Sequence, residues 1–171
     1  MEFSFGKIFR KRNTESLLLE IIDYDPSRDI DYYNFIKQQR DNEFIQLIVN
    51  SKLMMVLIKY YFIERQFQIK KIEMMEEDED FSASCNILIN ALSNDRAKLN
   101  DLLDFVEKLD DEESIEIFKI SLKYRNAETN EYIGVDIQAN GVIKINTDAY
   151  ENEKNILKDF LVRKLYEKNS I

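Results

Sequence analysis

Two runs of carboxylates carry the residues best able to do chemistry: Glu76, Glu77, Asp78, Glu79 and Asp80, then Asp110, Asp111, Glu112 and Glu113. Clustered carboxylates can hold a divalent cation, work as an acid–base pair, or present negative potential to a basic partner. The first run lacks the EF-hand spacing and its central Gly, so the metal reading has little behind it. Both runs also have a plain structural reading. Residues 76–80 precede Phe81, Cys85, Leu88 and Leu92, which recur at helical spacing, and acids in a first helical turn gain about 0.3–1 kcal/mol each from the macrodipole. Residues 110–113 close the next helical pattern and read as a solvated turn. If the acidic middle of the chain, from Glu73 to Asp80 and from Asp101 to Glu116, faces one way, it imitates the field of a phosphate backbone.

A third feature opens the chain. Lys7, Arg10, Lys11 and Arg12 are interleaved with Phe3, Phe5, Ile8 and Phe9. At helical spacing Phe5, Ile8 and Phe9 share a side. Such a segment can staple onto the core or act as an anchor through Phe5, Lys7, Phe9, Arg10, Lys11 and Arg12. The anchor would rest on a partner, or on an anionic membrane, where each cation contributes about 1 kcal/mol.

The remaining composition removes whole classes of chemistry. There is no histidine, hence no Ser-His or Cys-His nucleophile pair and no imidazole metal ligand. Cys85 is the single cysteine, with no neighbouring cation in sequence to activate it, and reads as a buried core residue. Gly6, Gly134 and Gly141 are too far apart for a phosphate loop, and no nucleophile elbow occurs. With 33 acids in the chain, some pair lies close by chance, so no catalytic pair is singled out. No catalytic residue, cofactor site or metal site is assigned. A formal charge of −9 disfavours direct nucleic-acid binding and suits a basic protein partner.

These groups need elements to position them. Leu17, Leu18, Ile21 and Ile22 predict a helix over residues 14–23, capped by Asn13 or Thr14. Asp25 and Pro26 start a second helix running to about Val49, with Tyr33, Ile36, Phe44, Leu47 and Ile48 inward. After Asn50 and Ser51, a third and central helix runs from Lys52 to about Met75. Lys59 and other polar residues interrupt its apolar stretch, which argues for a core helix and against a membrane span. Asn94 or Asp95 caps a helix whose buried stripe is Leu99, Leu102, Leu103, Val106 and Leu109.

From about residue 113 the period changes to two. Phe118, Ile120, Leu122 and Tyr124 form one alternation, Ile133, Val135 and Ile137 a second, Ile143 and Ile145 a third. Keeping the apolar faces together requires a three-residue connection, Ala139-Asn140-Gly141, with Gly141 left-handed, since a one-residue slip turns every buried side chain outward. A last helix from about Ala149 to Lys168 covers the sheet with Ile156, Leu157, Phe160, Leu161 and Leu165.

The expected fold is therefore α+β: a helical N-terminal region of about five helices, then a β-β-β-α unit whose three-stranded antiparallel meander packs on helices. Its parts are a basic aromatic segment at 1–12, a helical region at 13–111, and the meander with its helix at 112–171. The expected function is a small acidic binder or inhibitor of the immunity, antitoxin or anti-defence kind, without enzymatic activity, cytoplasmic, and a monomer or small homo-oligomer. Two other readings are a peripheral membrane or assembly component held by residues 1–12, and a Mg²⁺-dependent carboxylate enzyme. The abundance of Ile, Asn, Lys, Tyr and Phe is the coding bias of an AT-rich genome, bacterial or phage.

Overall fold

Residues Phe3–Lys11 of the basic aromatic segment build a strand. The computed structural model describes residues 1–12, 16–27, 31–76 and 78–169, and among these the chain is mixed α+β, with seven antiparallel strands and five α-helices. Strands come first, which overturns the helical N-terminal region. Two compact units form: residues 1–48 with 140–171, and residues 49–139. The composition boundary at 111/112 falls inside the second.

In the first unit, β1 (Phe3–Lys11) pairs with β2 (Leu19–Asp23) in the register Gly6↔Asp23 to Arg10↔Leu19. Helix α1 (Tyr32–Asp41) follows, its N-terminus capped by the Asp31 carboxylate, which accepts from Tyr33 N. Strand β3 (Phe44–Gln46) returns to pair with the end of β1. The start of β1 pairs with β7 (Val142–Asn146), Phe3 opposite Asn146 and Lys7 opposite Val142. Helix α5 (Tyr150–Asn169) packs against β2 and β7 and buries Leu157, Phe160 and Leu161. Phe9, Phe35 and Ile36 make a second small core on α1.

The corrections here share a cause. In β1 the period-two set is Phe3, Phe5, Lys7 and Phe9; a lysine in the apolar series hides the alternation and leaves the helical spacing of Phe5, Ile8 and Phe9 as the louder signal. Leu19 and Ile21 are buried in β2 and Glu20 lies between them, so five apolar residues near Leu17 read equally well as a helix face. The expected caps Asn13 and Thr14 lie outside the described residues. The second expected helix shrinks to α1 because Glu43 takes φ 67° and turns the chain into β3; Tyr33 and Ile48 are exposed.

In the second unit, Asn50 caps α2 (Ser51–Lys59) by accepting from Leu53 N at 2.9 Å. Helix α2 buries Leu53, Met54, Met55, Leu57 and Ile58. It widens into a π turn at Tyr60–Glu64, and Gln66, with φ 59°, leads into β4 (Gln68–Met74). The long helix to Met75 is thus a helix and a strand. Next come α3 (Glu79–Leu92), a 3₁₀ turn capped by Asp95, and α4 (Leu99–Glu113), which buries all five residues of its expected stripe. Strand β5 (Ile117–Arg125) pairs with β4 on one side and β6 (Tyr132–Gln138) on the other. A register shift sets Met74 opposite Ile117 but Glu73 opposite Lys119, so Phe118 is the extra residue of a bulge and is exposed, not core.

Strands β6 and β7 are joined by Ala139, Asn140 and Gly141, and Gly141 has φ 81°. Loop length and left-handed glycine are those the apolar register requires. The Gly141 carbonyl accepts from Ile8 N, and a Cβ at Gly141 would stand 2.7 Å from the Leu47 carbonyl oxygen. At Gly6 a Cβ would stand 2.5 Å from the Tyr150 hydroxyl. That hydroxyl lies 2.8 Å from Asp23 Oδ1 and 3.0 Å from the Phe5 carbonyl, two acceptors for one proton. Burial first, and then the Asp23 carboxylate, hold the Tyr150 phenol above its usual pKa.

Lys7 is the unusual member of this unit. It is wholly buried, its Nζ donates to the Asn140 carbonyl and lies 5.4 Å from the centre of the Tyr32 ring, and no carboxylate meets it among the described residues. Burial lowers its pKa to about 8.

Two predictions follow from this geometry. Gly141→Ala should cost about 1 kcal/mol or more in chemical denaturation, since both the backbone angle and the space favour glycine. For Lys7, the unfolded chain holds a proton between about pH 8 and the ordinary 10.5 that the folded chain lacks, so its contribution to stability rises with pH across that window. Lys7→Met should be more stable than wild type at pH 7 by up to about 3 kcal/mol, the gap closing toward pH 10.5. The difference between paired urea titrations checks this. The Cys85 thiol, raised by burial to about 11, titrates in the opposite sense and cancels from it.

Candidate functional site

The two acidic runs lie about thirty residues apart in sequence, and the second unit brings them to one end. Helices α3 and α4 pack on each other through the short connection at residues 93–98, which makes them antiparallel neighbours. The N-terminus of α3 therefore lies beside the C-terminus of α4. The backbone fixes this independently: Met75, leaving β4, donates its N–H to the Glu116 carbonyl at 2.8 Å, just before β5.

The two runs meet the fold with opposite electrostatic sense. Asp78 is the N-cap of α3, its Oδ1 accepting from Asp80 N at 2.9 Å and Phe81 N at 3.1 Å. Glu79 and Asp80 occupy the first turn, where the helix dipole favours them. Glu76 is exposed in the connection, and Glu77 lies outside the described residues. Asp110, Asp111, Glu112 and Glu113 occupy the last turn of α4, where the same dipole opposes them and no basic residue stands among them. Glu112 meets Lys108 at 3.7 Å, an exposed pair with Lys N-terminal to Glu, the weaker order. Ser114 ends the helix in the left-handed conformation, its N–H donating to the Leu109 carbonyl.

Of the two ends of the expected acidic stretches, one is neutralised and the other is placed at the shared end. Glu73 is clasped by Lys71 at 2.7 Å and Lys119 at 2.5 Å. Burial opposes its charge, but hydrogen bonds from both lysines outweigh that and hold the carboxyl below its usual range. Glu116 is exposed where the two runs meet. Strand pairing brings it beside Met75.

The basic segment does not form the expected face. Within β1 Lys7 and Phe9 are fully buried and Phe5 is half-buried; Arg10 and Arg12 are exposed and Lys11 is partly so. An anchor through Phe5 and Phe9 would require β1 to leave its sheet. Among the described residues no helix is long and apolar enough to cross a membrane, and no three acidic or thiol side chains converge as metal ligands. Cys85 is buried in α3, and burial raises its thiol pKa to about 11, so little thiolate forms at neutral pH.

Comparisons of the chain with family models, with curated proteins and with solved structures gave no match.

The opposed polarity gives a test by sign. Asp78→Ala should lower stability by about 1 kcal/mol, because it strips a cap. Glu113→Lys should raise stability, because it replaces an anion opposed by the dipole with a favoured cation. Thermal denaturation of the two single variants reads both directions.

Proposed function

We propose that this chain is a non-enzymatic binding protein that presents the shared end of α3 and α4 to a basic protein, in the manner of an inhibitor that covers a phosphate-binding face. One observation carries the reading: two separate acidic runs are gathered at one place, and the run in α4 sits where it disfavours its own helix. A charge kept against the stability of its own element is more readily understood as serving a partner than as solvation. Negative potential of this kind accelerates encounter and selects against acidic surfaces. The apolar core of the unit lies under the helices and leaves the acidic end to solvent. The immunity, antitoxin or anti-defence setting is the class of protein in which such a device would serve.

The test is affinity capture at low and high salt with wild-type protein and with a variant carrying Asp110→Asn, Asp111→Asn, Glu112→Gln and Glu113→Gln. The variant should fold at least as well as wild type. A basic protein retained by wild type at low salt, released at high salt, displaced by duplex DNA and lost with the variant supports the proposal. Equal retention of all partners by the variant, or no salt-sensitive partner at all, overturns it.

A further inference from the structure

Charge is sorted within the second unit. Strands β4, β5 and β6 carry five basic residues, Lys70, Lys71, Lys119, Lys123 and Arg125, against two acids, Glu73 and Asp136. In the rest of residues 49–139 acids outnumber bases by more than two to one. The formal charge of −9 disfavours binding to a polyanion for the chain as a whole, but the balance on these strands is the reverse.

The register puts most of those cations on one face. Ile120, Leu122, Val135 and Ile137 are buried. The residues that alternate with them on β5, Lys119, Ser121, Lys123 and Arg125, lie opposite Gln138, Asp136, Gly134 and Tyr132 on β6. Lys71 of β4 lies opposite Ser121. None of these residues is buried, so the face they share is open. Glu73 takes up part of the charge of Lys71 and Lys119.

A second observation singles out two of the cations. Lys123 Nζ stands 4.1 Å, and the Arg125 guanidinium carbon 5.3 Å, from the centre of the same Tyr132 ring. Asn130 Oδ1 accepts from Arg125 Nε at 3.0 Å and from Nη2 at 2.5 Å, which holds the guanidinium in place. Among the described residues no carboxylate forms an ion pair with Lys123 or Arg125. Two like charges gathered on one ring repel each other, and an anion set between them removes that repulsion.

The arrangement selects its occupant. Lys123 and Arg125 are alternate residues of one strand, so they recur about 7 Å apart and suit a chain of repeated anions better than a single one. Ser121 and Gln138 add neutral donors and acceptors to the face; the base edges of a nucleic acid can meet them, whereas a run of carboxylates leaves them unmatched. The cations lie along strands and not on a projecting helix, which suits an unpaired strand laid across the sheet more than the groove of a duplex. We propose that the open face of β4, β5 and β6 binds single-stranded nucleic acid through its phosphates, with Lys123 and Arg125 as the principal contacts. This goes beyond the function proposed above and does not rest on it.

Fluorescence anisotropy with a labelled oligothymidylate of about 15 nucleotides tests it. Wild-type protein should bind saturably, with affinity falling as salt rises. Lys123→Gln and Arg125→Gln should each weaken binding at least about threefold and reduce the salt slope by about 0.7, the loss of one phosphate contact, with the thermal midpoint unchanged. Lys108→Gln, on α4, removes the same charge away from the face and should bind as wild type does. The four-residue variant of the acidic end should bind the oligonucleotide at least as tightly as wild type, which separates failure of this face from failure of the other site. Absence of saturable binding, equal weakening by Lys108→Gln, tighter binding of a duplex of the same length, or equal competition by polyglutamate overturns the proposal.

Discussion

The ladder between β1 and β7 is the interaction on which the first unit depends. It joins residues 3–7 to residues 142–146 across almost the whole chain, and the hydrogen bond from Ile8 N to the Gly141 carbonyl extends it. Strand β1 also pairs with β2 along its length and with β3 at its end, so it is the strand around which that unit is arranged. Its sequence meets this role with Ile8 and Phe9 fully buried and with glycine where Tyr150 approaches. The exception is Lys7, a cation in an apolar position with a carbonyl and an aromatic ring for company. Such a group weakens the folded state by its desolvation and gives the unit a pH response in a protein without histidine.

The second unit shows the same economy of placement with charge. Helix α3 uses its acids where the backbone amides call for them, and α4 ends in acids that its own carbonyls repel. The first group is explained by the fold. The second is tolerated by a helix whose buried stripe, Leu99, Leu102, Leu103, Val106 and Leu109, is complete, so packing carries α4 past the penalty at its end. Glu73, held between two lysines, belongs to the sheet.

Much of the second half of the chain was legible, and the reasons are local. The stripe of α4, the three late strands, the three-residue loop with Gly141 and the last helix all follow from periodicity and turn chemistry that neighbours in sequence can reveal. The first half was misread wherever apolar residues recur with two periods at once. Lys7 broke the alternation of β1. The run after Lys52 is apolar enough for one long helix, and nothing in it announces the left-handed Gln66 that ends the helical part. For the candidate site, both acidic runs were visible, but their meeting depends on a helix pair and a strand pair, which are properties of topology.

Because the second unit is an insertion between the two halves of the first, order of synthesis matters. Strands β1, β2 and β3 are made before residues 49–139, and β7 only after them. During translation residues 3–7 of β1 keep the edge that β7 will pair open even after β2 and β3 have been made, and an open edge invites wrong pairing. A nascent chain released before Val142 would lack the strand that covers this edge of β1.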